Sequence, residues 1–163
     1  MNGFTDVPAG RLYYEVEGEG PPLTLVHAGV AHLRMWDLQA ADWAERYRVI
    51  RYDTRGFGRT QCEDVPYSNR ADLAALLDHL GVSRTHLLGA SRGGTIAIDF
   101  TLEHPARVAS LIAVAGRGRG GVGRLRTASR RAPRMHRGPR AARTQYRARA
   151  PRSSARSTWP TSG

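Results

Sequence analysis

The five residues from Gly89 to Gly93 have the types and the spacing of a serine nucleophile held on a tight turn. They read Gly-Ala-Ser-Arg-Gly, a G-x-S-x-G pattern between an apolar run and a segment with helical periodicity. A sharp strand-to-helix turn exposes the serine hydroxyl, and glycines two residues before and after it remove Cβ atoms that would collide. We therefore predict that Ser91 is a nucleophile at the start of a helix.

This turn requires a strand before it and a helix after it, and the chain supplies such elements in alternation. Short apolar runs such as residues 23–26 are typical of strands buried on both faces of a parallel sheet. Strands are predicted at 11–16, 23–26, 47–52, 86–88 and 108–115, and helices at 36–46, between a Ser68 cap and Gly81, and at 93–104. The alternation predicts an α/β fold with a mostly parallel sheet flanked by helices.

Three further segments, in the matching order, resemble motifs of the α/β-hydrolase superfamily. Residues 25–29 are similar to the strand and oxyanion turn of the family, and residues 51–60 are similar to its Y-D-x-R-G-x-G-x-S segment. Residues 72–81 are similar to the helix that precedes the nucleophile elbow, the strand-to-helix turn that carries the serine. The similarity extends from about Arg11 to Gly116, roughly the first half of a typical member. The chain is thus identified as a member of this superfamily with a truncated α/β-hydrolase fold.

The resemblance implies an esterase-like or lactonase-like serine hydrolase that acts on small-molecule ester or lactone bonds through an acyl-enzyme. The backbone N–H groups of Arg92 and Gly29 are the expected oxyanion donors, and Gly29 also fits a simple turn glycine. The Arg92 side chain is expected to be solvated; the alternative is a group at the pocket mouth that contacts an acidic substrate. His27 resembles a structural hydrogen-bonding residue rather than a base.

Two other polar residues of the matching segments, Asp53 and Arg55, are expected to lock a loop rather than to take part in chemistry. The chain has a single cysteine, Cys62, which gives no metal-site spacing. We therefore expect no metal and no cofactor.

A catalytic serine needs a histidine base and a carboxylate that orients it, and in this family both follow the serine, the acid first. The acids after Ser91 are Asp99 and Glu103, both in a predicted helix, and the histidines are His104 and His136. None of them follows a predicted strand. The triad acid and histidine are therefore not identifiable, and we expect catalysis to be impaired.

The charge of the chain changes sign at Gly116. Residues 1–116 have 11 arginines and 14 acidic residues, a net charge of −3, whereas residues 117–163 have 14 arginines and no acid. The second segment has too few apolar residues to offset an ordering cost of about 1–2 kcal/mol per residue, so it is predicted to be disordered. We divide the chain into the N-terminal part of an α/β-hydrolase domain, 1–116, and an arginine-rich tail, 117–163, with a frameshift near Gly116 as the hypothesis for its origin.

Such a tail suggests a second function, a non-catalytic protein whose arginines bind nucleic acid nonspecifically. An inert fragment is a third interpretation. With no strand following it, the segment 108–115 is also predicted to form an exposed apolar sheet edge. The sequence shows neither a secretory signal nor a membrane span, so we expect no membrane partner and a cytoplasmic location.

Overall fold

The computed structural model describes residues 1–117, which form one mixed sheet and three α-helices. The strands are Asn2–Val7 (β1), Gly10–Glu17 (β2), Pro22–Val26 (β3), Arg48–Tyr52 (β4), Gln61–Cys62 (β5), Thr85–Ala90 (β6) and Val108–Val114 (β7). The α-helices are Asp37–Trp43 (α1), Asn69–His79 (α2) and Arg92–Glu103 (α3), and short 3₁₀ turns occupy Leu33–Trp36 and Pro105–Arg107. The predicted α/β class is confirmed.

The strand order is β1-β2-β4-β3-β6-β7, with β5 paired to β2. The pairs β4–β3, β3–β6 and β6–β7 are parallel, whereas β1 and β2 add an antiparallel hairpin at one edge. In the β3–β6 pair, Val26 lies opposite Gly89. Because parallel strands end at the same edge of a sheet, the turn after β3 and the turn after β6 are neighbours.

Successive residues of the central strands pack on opposite faces of the sheet, as expected for strands covered on both sides. Val26, Ile50 and Leu87 belong to a core cluster with the leucines of α2 and with Phe100 of α3. Their chain neighbours Leu25, Val49 and Leu88 belong to a second cluster with Trp36 and Ala40, on the side of α1. The helices therefore cover both faces, which explains why consecutive residues such as Val49 and Ile50 are both apolar.

The helix α2 begins and ends as the sequence predicts. The Ser68 hydroxyl accepts a hydrogen bond from the Ala71 N–H at 3.3 Å. Gly81 follows the helix with a φ of +66°, a conformation that favours glycine at a helix end.

Two strands, β1 and β5, were not predicted from the sequence, and α1 is shorter than predicted. The β1–β2 hairpin turns at Pro8 and Ala9, and Ala9 has a φ of +54°. Hairpin turns are recognised in sequences by Asn-Gly or Gly-containing pairs, which this turn lacks. The predicted helix 36–46 is a 3₁₀ turn followed by the shorter α1, since the 3₁₀ turn takes up Trp36.

The strand β7 is a sheet edge within the described part of the chain, as predicted. Its Ile112 and Val114 side chains are each 55% exposed.

No helix among residues 1–117 is long and apolar enough to cross a membrane. The tail predicted to be disordered, 117–163, lies outside the described residues except for Arg117.

Candidate active site

Ser91 lies between β6 and α3 in a backbone conformation that side-chain-bearing residues rarely adopt. Its φ is +52° and its ψ is −115°, it is the N-cap residue of α3, and its side chain is exposed. The Ser91 N–H donates to the carbonyl oxygen of Val114 at 2.7 Å. Such a conformation costs about 1–3 kcal/mol and persists only where the surroundings impose it.

Two glycines make this turn sterically feasible. A Cβ atom at Gly89 would lie 2.2 Å from the carbonyl oxygen of Gly93, and a Cβ atom at Gly93 would lie 2.3 Å from the carbonyl oxygen of Val26. Real Cβ atoms do not approach backbone atoms so closely. The first and last positions of the G-x-S-x-G segment therefore require glycine, for the reason given by the sequence analysis.

The structure brings together the two residues predicted to donate N–H groups. A Cβ atom at Gly29 would lie 3.2 Å from the Cβ atom of Arg92 and 3.1 Å from its Cδ atom. The Arg92 N–H belongs to the first turn of α3, whose N–H groups have no partner within the helix. In the neighbouring turn the Ala28 N–H donates to the Met35 sulfur at 3.2 Å, while the Gly29 N–H meets no acceptor among residues 1–117.

The Arg92 side chain was expected to be solvated; its hydrogen bond to Tyr67 is exposed, and the side chain also contacts neighbouring loops. The side chain is half-buried, and its guanidinium carbon lies 5.3 Å from the centre of the Phe57 ring. One guanidinium N–H donates to the Tyr67 hydroxyl at 3.0 Å. The contacts of Phe57 and Tyr67 with Arg92 were not predicted from the sequence, because both residues lie in loops outside any periodic pattern.

His27 is buried and its two ring nitrogens are both occupied. Nδ1 lies 2.7 Å from the carbonyl oxygen of Ala28, which can only accept, and Nε2 accepts from the Thr54 N–H at 3.0 Å. This pattern requires a neutral ring with its proton on Nδ1. Burial lowers the pKa of His27 below its ordinary value of 6.5. His27 therefore holds the β3 turn against the loop that starts at Thr54.

Asp53 fastens the loops around this turn. One carboxylate oxygen accepts from the Leu33 N–H and the other from the Arg59 N–H, each at 2.8 Å. Gly58, with a φ of +53°, lies so close that a Cβ atom there would overlap the carboxylate of Asp53. The interpretation of Asp53 as a loop lock agrees with these contacts.

Arg55 joins the same loop to α2 through a buried, two-point ion pair. Its Nε and Nη2 atoms donate to the two carboxylate oxygens of Asp72 at 2.7 and 2.9 Å. Nη2 also donates to the carbonyl oxygen of Pro8 at 2.7 Å. Both side chains are almost fully buried, so the pair fixes the loop rather than serving a substrate.

Among residues 1–117 the Ser91 hydroxyl forms no hydrogen bond with a histidine, and the candidate residues that follow it lie along α3. Asp99 and Glu103 lie within α3, and His104 follows its last residue. The twelve-residue helix is about 18 Å long, so His104 is far from Ser91. His136 lies outside the described residues. Residues 1–117 also contain no group of three His, Cys, Asp or Glu side chains that could hold a metal ion.

A groove of about 750 Å³ opens beside α3. Its lining includes Tyr67 and Ser68 before α2, Arg92 and Thr95 in the first turns of α3, and Leu102 near its end. The groove therefore begins next to the serine turn and follows the helix away from it.

Comparisons with known proteins agree with this geometry. A family model described as the alpha/beta hydrolase fold matches residues 21–150, a range that extends past Gly116 into the arginine-rich segment. RutD of Azorhizobium caulinodans, whose name describes a carbamate hydrolase, is 37% identical over 108 residues, or 64% of this chain and 41% of RutD. The chain spans less than half the length of the curated relatives it matches.

Solved structures superpose on about seven tenths of the chain. The enol-lactonase from Burkholderia xenovorans is 29% identical with a TM-score of 0.65, covering 68% of this chain and 45% of its own. The naproxen esterase from Bacillus subtilis is 26% identical with a TM-score of 0.67, covering 71% of this chain and 43% of its own. Strand order, serine turn and family match agree: the chain belongs to the α/β-hydrolase fold family.

Proposed function

We propose that the chain carries the nucleophile and oxyanion part of a serine hydrolase site for small-molecule esters or lactones. The observation that carries the proposal is the backbone of Ser91, which is held at a φ of +52° by glycines that tolerate no side chain. Strained residues of this kind concentrate at functional sites. The enol-lactonase and the naproxen esterase among the similar structures support ester and lactone chemistry.

In the proposed reaction the Ser91 Oγ attacks the carbonyl carbon and loses its proton to a base. The resulting oxyanion accepts hydrogen bonds from the N–H groups of Gly29 and Arg92. Collapse breaks the bond to the alcohol oxygen, which takes up a proton, and leaves an acyl group on Ser91. Water then hydrolyses the acyl-enzyme to the acid and restores the serine hydroxyl.

Removal of the proton from the Ser91 hydroxyl is the step that this chain supports poorly. Both ring nitrogens of His27 are hydrogen-bonded to backbone groups, and His104 is too far along α3 to reach Ser91. We therefore propose that turnover by the chain alone is impaired. The proton must leave to solvent or to a base supplied from outside.

Chemical rescue tests the proposal. The full chain is incubated with an uncharged alkyl fluorophosphonate, with and without imidazole, and the adducts are located by peptide mass spectrometry. We expect slow labelling of Ser91 that imidazole accelerates. Ser110 is a control within the same molecule. It is exposed and its Oγ lies 2.8 Å from Nδ1 of His86, but it does not lie on a strand-to-helix turn. Equal labelling of Ser91 and Ser110 would refute the proposal.

A second candidate function rests on the charge of residues 117–163, which have 14 arginines and no acid. We propose it as nonspecific binding of nucleic acid, driven by release of counterions from phosphates. Fluorescence anisotropy with two unrelated duplex oligonucleotides tests it. Binding should weaken steeply as salt rises and should not distinguish the sequences. Salt-independent binding would contradict it.

A further inference from the structure

The guanidinium of Arg92 is held in a defined place beside the serine turn. Its aliphatic part covers Gly29, its cationic carbon lies 5.3 Å from the Phe57 ring centre, and one N–H donates to Tyr67 at 3.0 Å. These contacts come from three separate loops. They fix a positive charge on the residue that follows Ser91 in the chain.

This charge has no counterion in the described part of the protein. Arg92 forms no ion pair with a carboxylate of residues 1–117, and the Tyr67 hydroxyl is a neutral partner. A guanidinium has five N–H donors, so most of its hydrogen-bonding capacity is left. By contrast Arg70, which lines the same groove, is paired with Glu103 at 2.9 Å.

The positive charge of the groove beside α3 lies at one end. Arg92 is next to Ser91, whereas Glu103, about 16 Å further along the helix axis, is neutralised by its ion pair with Arg70. An anionic ligand is therefore attracted to the Arg92 end. A neutral ligand experiences no such direction.

We propose that Arg92 is a specificity-determining residue that binds a carboxylate of the substrate through its side chain. The site then favours esters or lactones that carry a carboxylate near the reacting carbonyl. A guanidinium matches a carboxylate with two parallel N–H···O bonds, and such charge-assisted bonds are the stronger kind. This inference rests on the proposed function of Ser91 for its catalytic meaning, but the binding itself is measurable without turnover.

The test compares two ligands of equal shape on the full 163-residue chain. The probes are 4-oxopentanoate, which has a carboxylate and a ketone carbonyl, and its uncharged amide. Binding is followed by ¹H–¹⁵N NMR of the backbone amides. We expect the carboxylate to bind about tenfold more tightly than the amide.

Two variants locate the effect, because each removes one positive charge from the groove. Arg92→Gln should abolish the preference for the carboxylate, and Arg70→Gln should retain it. The arginines of the tail are common to both variants, so their attraction for the anion cancels. Equal preferences in the two variants, or equal affinity of wild type for carboxylate and amide, would overturn the inference.

A measurement on the wild type keeps the test decisive if Arg92→Gln does not fold. The side-chain Nε–H resonance of Arg92 should shift saturably with 4-oxopentanoate, and that of Arg70 should shift less. Similar shifts of both resonances would contradict the inference. Phosphonate labelling of wild-type Ser91 is read separately, so loss of the nucleophile function and loss of carboxylate binding give different results.

Discussion

Gly93 lies against the end of β3, where a Cβ atom at residue 93 would stand 2.3 Å from the carbonyl oxygen of Val26. This contact joins the first turn of α3 to the strand that precedes the oxyanion turn. The distance between the proposed nucleophile and the proposed oxyanion donors is therefore set by direct backbone packing, which leaves no room for adjustment by side chains.

We expect Gly93→Ala to destabilise the protein by about 3 kcal/mol or more, because the added methyl must displace backbone rather than a flexible side chain. Gly56→Ala is the matched control. Gly56 has a φ of +80° and nothing within 4 Å of its Cβ position, so it should lose only about 1–2 kcal/mol from backbone strain. Urea unfolding followed by tryptophan fluorescence measures both, and equal losses would show that the close approach relaxes.

Substitutions at Ser91 should reveal the strain of its backbone. Glycine adopts a φ of +52° without steric cost, whereas alanine retains the strain, so Ser91→Gly should be about 1 kcal/mol more stable than Ser91→Ala. The control pair is at Ser83, which is exposed and has a negative φ. At Ser83 the glycine variant should be less stable than the alanine variant. The same order of stability at both positions would contradict strain at Ser91.

The buried pair of Arg55 and Asp72 should matter far more than an exposed pair of the same types. Arg55→Met leaves a carboxylate buried without its partner, so the free energy of unfolding should fall by about 3–5 kcal/mol. Arg70→Met, which breaks the half-exposed pair with Glu103, should cost less than about 1 kcal/mol. Adding Asp72→Leu to Arg55→Met should recover part of the loss. If it does not, burial of the lone carboxylate is not the cause.

His27 predicts a pH dependence of stability with a definite sign. Its pKa is lower in the folded protein than the ordinary 6.5, so the unfolded chain binds the proton more readily. The stabilising contribution is complete above about pH 6.5 and is lost as the pH falls towards the lowered value. His27→Gln should flatten the profile of unfolding free energy between pH 7.5 and about pH 5, and substitution of the exposed His32 should not. An unchanged slope in His27→Gln would assign the effect to other groups.

The sequence predicts well those parts of the site whose residue types are imposed by short-range sterics. Gly89 and Gly93 are recognisable because their spacing from Ser91 is fixed by the turn itself. The central strands are recognisable because burial on both faces gives each of them consecutive apolar residues. His27 and Asp53 were also interpreted as structural, in agreement with their hydrogen bonds.

The environment of Arg92 could not be predicted in the same way. Phe57 and Tyr67 reach it from loops that no periodic pattern connects to α3, and only the folded chain shows them side by side. The β1–β2 hairpin was missed because Ala9, rather than glycine or asparagine, has the positive φ at its turn. In both cases tertiary contacts override what the local residue types indicate.

The bond from the Ser91 N–H to Val114 has a consequence for anyone who wishes to transplant this elbow into another scaffold. Two further contacts follow it along the chain: Gly116 packs on Gly94, and the Arg117 N–H donates to the Thr95 hydroxyl at 3.1 Å. A graft of the five-residue pattern, or of the strand–turn–helix unit from Thr85 to Glu103, leaves these supports behind. The smallest portable unit therefore includes β7 and continues to residue 117.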